Sequence, residues 1–194
     1  MNTLRHQLGF WAFVAFVLAY VGILSGAMFW FQFGVGELPC PLCILQRMGM
    51  MLSSLGAIYV LVGALRGKLS TTTFSTGVGM AILGAMLGGM MSFRQIELHL
   101  APGDPGYGEA VFGLHLYTWA LITFGVVVIF SGLILLWGKE FIPEAPRAKW
   151  LRNIAWVVIW LMLATIAINM LVVFAEEGFN WYLPDDPTSY VLFG

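Results

Sequence analysis

Charge is scarce in this chain. Lys, Arg, Asp and Glu together make up 10% of its 194 residues, against 60% apolar residues and a mean hydropathy of +0.87. A soluble domain usually carries roughly 45–50% apolar and about 25% charged residues, so the composition does not fit a water-facing globule. Cysteine is almost absent. Cys40 and Cys43 are the only two, too few for a disulfide framework, and a structural zinc site, which needs four ligands, has no second pair to complete it. The three histidines, His6, His99 and His115, offer no obvious mid-membrane pair of axial haem ligands. Ionisable residues are nearly missing from the centres of the apolar runs, where a transporter or channel built on buried charge would carry them. The formal net charge of −1 says nothing about nucleic acid, and no basic cluster or finger-type spacing points to such a partner.

What the chain does have is long apolar runs. Residues 9–33 are apolar apart from Ser25 and Gln32, and further runs cover 44–65, 74–93, 114–137 and 154–175. About 20 apolar residues cross a bilayer, so five membrane spans are expected and the fold class is an all-α membrane protein. The first run is too long for a signal-peptide core, and no convincing cleavage pattern follows it. Gly22 and Gly26 in the first run, and Gly77, Ala81, Ala85 and Gly89 in the third, recur at four-residue steps. Small residues so spaced let a neighbouring helix approach closely. Met80, Met86, Met90 and Met91 read as packing rather than as metal ligands, and no metal site is expected.

Both cysteines lie in 38–47, between the first and second spans. At Cys-x-x-Cys spacing they can close a local disulfide or work as a redox dithiol. A helix beginning near Cys43 aims unpaired N–H groups at its sulfur, and Arg47, four residues on, falls on the same face. Both favour a thiolate at Cys43. A purely structural disulfide is the plainer alternative, although so short a loop constrains the unfolded chain little.

Five spans put the termini on opposite sides of the membrane. With the N-terminus inside, the inner segments carry seven basic residues (Arg5, Arg66, Lys68, Lys139, Arg147, Lys149 and Arg152) and the outer ones two, Arg47 and Arg94. This is the usual inward excess of positive charge. The same orientation puts Cys40 and Cys43 outside, where disulfides persist. The two outward arginines run against the excess and are functional candidates for that reason.

Cys40-Pro41-Leu42-Cys43 followed by Gln46-Arg47 resembles the disulfide bond formation protein B family of bacterial inner-membrane thiol oxidases. Supporting stretches are Arg94-Gln95 with Leu98-His99, the Pro/Gly-rich 102–108, and 113–119. The resemblance implies a four-helix transmembrane bundle, here with a fifth C-terminal transmembrane helix. It divides the chain into a redox membrane domain, 1–138, and a tail, 139–194, made of an inner loop, the fifth span and an acidic, aromatic outer segment. It also implies that Cys40 exchanges with a periplasmic thioredoxin-like dithiol partner and that Cys43 faces a quinone, ubiquinone or menaquinone, drawn from the membrane pool. Arg47 would hold the quinone and stabilise the thiolate, with Gln46, His99 and Arg94 as further candidate quinone contacts.

Two features depart from the family pattern. The second cysteine pair that well-known members carry between the third and fourth spans is missing from 101–113, and the fifth span is additional. The additional outer tail is expected to anchor at the interface through Trp181, Tyr182 and Tyr190, or to dock a partner or cap the loop. Readings from other classes are a transporter, or an assembly protein with a structural disulfide, and the sequence does not fix the direction of electron flow.

Overall fold

The five apolar runs become five helices in the computed structural model, which describes residues 2–137, 142–180 and 182–193. Helix α1 covers Asn2–Ser25 and passes without a break into a π-helical segment, Gly26–Val35. Helices α2 (Pro41–Leu65), α3 (Thr71–Leu98), α4 (Leu116–Leu136) and α5 (Lys149–Glu177) follow. All five spans are long and apolar enough to cross a membrane. In hydrocarbon every backbone N–H and C=O must be satisfied within the chain, and helices achieve this segment by segment. The fold is thus the all-helical bundle with an additional fifth span that the sequence leads one to expect.

The helices overrun the apolar stretches. The third run, 74–93, lies inside a helix of 28 residues, so Arg94, Gln95 and Glu97 are helical rather than loop residues. The fifth extends to Glu177 and takes Glu176 with it. Hydropathy marks only the part that lipid must cover, whereas backbone hydrogen bonding continues until a breaker or cap intervenes. Gly36, at φ +85°, ends the π-helical segment in a conformation that glycine adopts freely. Cys40 caps α2 with Pro41 as its first residue, and Ser70 caps α3 by accepting from the Thr73 N–H at 3.1 Å.

Helix α2 is the centre of the bundle. Of its most apolar stretch 72% is buried, against 22% for α4. Large side chains such as Leu87, Ile129, Trp160 and Leu171 point outward, as lipid contact requires. Ala155, Val158, Ile159 and Met162 of α5 share one buried core with Phe10, Val14 and Val17 of α1. At one end of the bundle His6 Nδ1 meets the Ile142 carbonyl at 2.8 Å, and Arg152 Nη2 donates to the Leu65 carbonyl at 2.6 Å, closing the end of α2. At the opposite end lie the cysteines, the end of α3 and Glu176. The boundary at 138/139, Lys139 and Trp181 lie outside the described residues.

Helices α2 and α3 meet backbone to backbone. A Cβ at Gly56 would strike the Gly77 carbonyl oxygen and come within 2.8 Å of the Ala81 nitrogen, and one at Gly49 would lie 2.7 Å from Gly88 Cα. Ser53 Oγ crosses the same seam to the Ala81 carbonyl at 3.0 Å. Gly88 also receives the ring of Phe124 from α4. The small face expected on α3 is therefore in contact, with Gly84 and Gly88 adding to Gly77 and Ala81, while a Cβ at Gly89 would find only ordinary contacts. Gly22 and Gly26 depart from expectation. Nothing lies within 4 Å of a Cβ at either position, and both line a cavity instead of admitting a helix. Gly56→Leu is expected to lower stability in detergent by about 1–3 kcal/mol through overpacking. Gly79→Ala, where a Cβ meets nothing, should be neutral or slightly stabilising by thermal melting.

Candidate functional site

Cys40 and Cys43 form a disulfide across a Cα–Cα distance of 5.0 Å. Local geometry follows from the helix start. Cys40 is extended (φ −65°, ψ 163°), and Pro41 sets the first helical φ. The Cys43 N–H then points back at Cys40 Sγ, 3.2 Å away. Both sulfurs sit in the first turn of α2, which begins two residues earlier than the position of Cys43 requires. The positive end of the helix dipole therefore acts on both.

The disulfide lies between two cavities. One, of about 480 Å³, is almost wholly apolar. Its walls include Gly22, Gly26, Phe31, Met50 and Trp119, and its polar lining comprises Cys43, Gln46 and Arg47 together with Glu37, Tyr107 and Thr123. The other, of about 550 Å³, is lined by Cys40, Pro41 and Leu42, by Gln95 and His99, by 106–108 and by Asp185 and Asp186 of the tail. Each cysteine thus lines a different cavity. Cys40 is only 5% exposed, so its access runs through the second one. Tyr107 donates its hydroxyl to the Leu38 carbonyl at 2.6 Å, pinning the outer loop over the cysteine segment. Burial first, then the acidic neighbours Asp186, Glu176 and Glu37, push the Tyr107 hydroxyl up to about 12. A raised phenol keeps its proton and hence this bond below its ordinary pKa of about 10, and loses it as pH rises through the raised value.

Two polar networks converge on the site. In the first, Gln95 turns its Nε2 toward both sulfurs, 3.3 Å from Cys40 Sγ and 3.5 Å from Cys43 Sγ, while its Oε1 accepts from Gln46 Nε2 at 2.7 Å. In the second, the buried Arg47 donates from Nη1 to Gln32 Oε1 at 2.8 Å and from Nη2 to the Ala27 carbonyl at 3.2 Å. Gln32 in turn donates through Nε2 to Glu176 Oε2 at 3.3 Å and to the Tyr190 hydroxyl at 3.2 Å.

The residues singled out from the sequence fall into two groups. Cys43, Gln46 and Arg47 come together on the apolar cavity. Arg94 does not join them: it is exposed and pairs with Glu97 at 3.4 Å. His99 lines the outer cavity and bonds Asp104 through Nδ1 at 3.0 Å. The Gly106 N–H first, and then His99, hold the Asp104 carboxyl below the usual range. His99 and His115 both stack on Tyr117, at 5.7 and 5.2 Å. The tail caps the site as well as carrying an exposed Tyr182. Leu183 is buried against Ile44 and Val173, and Tyr190 reaches Gln32. The sequence alone does not mark Gln32, Gln95, Tyr107 and Glu176 as site residues. The available signal was a lone polar residue in or beside an apolar run, strongest for Gln32.

Comparison with known proteins finds relatives within one family. The family model for disulfide bond formation protein DsbB matches residues 9–108. A disulfide bond formation protein B of Chromobacterium violaceum is 39% identical over 92 residues, 47% of this chain and 52% of that protein, so this match covers about half of its length. Proteins of similar name from Pseudomonas fluorescens (32% identical over 59% of this chain and 82% of that one) and Haemophilus influenzae (25% over 64% and 85%) align more extensively. No solved structure matches the chain. With more than half its length matched by the family model and its cysteine pair at the helix start, this chain belongs to the DsbB family of disulfide bond formation proteins.

Proposed function

We propose that the protein is a multi-pass thiol oxidase of the bacterial inner membrane. It would oxidise a periplasmic thioredoxin-like dithiol through Cys40–Cys43 and pass the electrons to a membrane quinone, with the N-terminus cytoplasmic and the cysteines and tail periplasmic. The observation that carries this reading is the disulfide with one cysteine lining each of two cavities.

The apolar cavity fits a quinone ring and the start of its tail. Small-molecule sites are typically apolar clefts of about 300–1,000 Å³ with a few converging polar groups. Among the polar groups here are the Arg47 guanidinium and the Gln46 amide, beside Cys43. When bound, a quinone supplies an acceptor for two electrons and two protons. His99 and Arg94, outside the walls of this cavity, are weaker candidates for its contacts.

The protein's own part begins at Cys40. A partner thiolate attacks Cys40 Sγ, the Cys40–Cys43 bond breaks, and Cys43 leaves as the thiolate. The α2 N-terminus, the Gln95 N–H and the Arg47 cation stabilise that charge, and a low-pKa leaving thiol speeds exchange. The partner's second thiolate then attacks its own sulfur in the mixed disulfide, releasing Cys40. The partner leaves oxidised, with two electrons and two protons left for the acceptor on the Cys43 side. The outer loop carries no second cysteine pair, so the partner meets Cys40 directly, or brings a relay pair of its own, and 106–108 and the tail move aside to admit it.

Three outcomes follow. In purified protein given a reduced thioredoxin-like dithiol and ubiquinone, Cys43→Ala abolishes loss of quinone absorbance, while Arg47→Gln chiefly raises the KM for quinone; wild-type turnover without Cys43 would sink the mechanism. Gly22→Leu fills the cavity wall where nothing opposes a Cβ, so it raises the quinone KM at unchanged melting temperature. Tyr107→Phe releases the loop from Leu38, so a small dithiol reduces Cys40–Cys43 several-fold faster in a stopped thiol-trapping assay. A rate equal to wild type would deny the loop its gating part.

A further inference from the structure

Arg47 is held by residues from opposite ends of the chain, and one of them is an acid buried without an evident structural reason. Glu176 is fully buried at the end of α5. One of its oxygens accepts from Gln32, and the other, Oε1, has no hydrogen-bond partner among the described residues. A buried carboxylate with half its acceptors unmet costs stability, and an apolar side chain at a helix end facing lipid or core would fold at lower cost. Its placement is therefore better explained by what it does to its neighbours.

The neighbour is Gln32. An amide has a donor end and an acceptor end, and either can face a given direction unless its partners choose. Here they choose. A carboxylate takes only the donor end and a guanidinium takes only the acceptor end, so Glu176 on one side and Arg47 on the other lock one orientation. Tyr190 takes the second Nε2 hydrogen. With Gln32 locked, Arg47 spends Nη1 on it and Nη2 on the Ala27 carbonyl. It is still a wall of the apolar cavity, and three of its five N–H donors make no hydrogen bond among the described residues. Gln32 and Ala27 both belong to the π-helical segment, whose wider turn differs from the α-helix on either side of it in sequence.

We propose that Glu176 is a positioning residue. Through Gln32 it orients the Arg47 guanidinium toward the cavity, so that the additional fifth helix tunes acceptor binding at a cavity whose walls it does not supply. The proposal rests on the quinone reading of that cavity. It acts by preorganisation: a cation already held in place gives up less freedom when a carbonyl oxygen binds.

The test uses the full-length protein in detergent or nanodiscs, with Glu176→Gln, Gln32→Leu and Arg47→Gln made singly and in pairs. Binding of a short-chain ubiquinone is measured by equilibrium dialysis with no dithiol present, alongside KM and kcat in turnover. Glu176→Gln keeps the size of the side chain but removes the charge that fixes the amide. It is expected to weaken ubiquinone binding and raise the quinone KM roughly tenfold, equivalent to about 1.4 kcal/mol, with kcat and the dithiol KM unchanged. Gln32→Leu, which cuts the same link from the other side, should give the same signature. In the Arg47→Gln background Glu176→Gln should add less than twofold, because the effect passes through Arg47. An undiminished effect in that background, or wild-type binding in both Glu176→Gln and Gln32→Leu, overturns the proposal while leaving Cys43-dependent quinone reduction intact. Absence of Cys43-dependent reduction and of ubiquinone binding in the wild type would overturn the quinone reading itself, and this inference with it.

Discussion

A guanidinium buried near the end of an apolar bundle must be met by oxygen, because its charge cannot be removed by titration near neutral pH and its desolvation is costly. Arg47 imposes that demand on the rest of this molecule. The π-helical segment answers with the Ala27 carbonyl and Gln32, the fifth helix with Glu176 behind Gln32, and the tail with Tyr190. Elements additional to a four-helix bundle are thereby tied to the cation beside Cys43. The tail is held by the same region, through backbone bonds from Val191 and Leu192 to Glu176 and Ala175.

A second constraint comes from the seam between α2 and α3. Glycines and a serine bring the two backbones into direct contact over several turns, and the helices leave that seam in a fixed register. At its outer end the register sets Gln46 and Gln95 2.7 Å apart and aims the Gln95 amide at both sulfurs. The polar geometry at the disulfide is thus a consequence of close packing deeper in the bundle.

The disulfide itself separates two environments. On the side of Cys43 the walls are apolar and the polar groups few. On the side of Cys40 the cavity is bordered by a Gly-rich loop and two tail aspartates, and Tyr107 ties that loop down. A short disulfide at a helix start is well suited to this position. The cap residue Cys40 and the first-turn residue Cys43 line different cavities, while the bond between them keeps the sulfurs in covalent contact.

Local pattern was enough for much of this protein. Five apolar runs of adequate length dictate five spans, since only a helix satisfies its own backbone in lipid. Two cysteines three positions apart with an arginine one turn later put a cation beside a cysteine pair, whatever surrounds it. What local pattern could not decide is where the remaining polar residues go. Gln32 and Glu176 are 144 positions apart, and nothing in the spacing of either announces the other. Arg94, a further candidate by its place against the charge bias, lies on a helix face that turns it toward Glu97 and the exterior. Gly22 and Gly26 read as a helix contact, and packing left them facing a cavity. Periodicity reports which face of a helix is small or apolar. Which neighbour that face meets, or whether it meets none, is settled only when all five helices pack at once, because that packing minimises exposed polar groups and unfilled space over the whole chain.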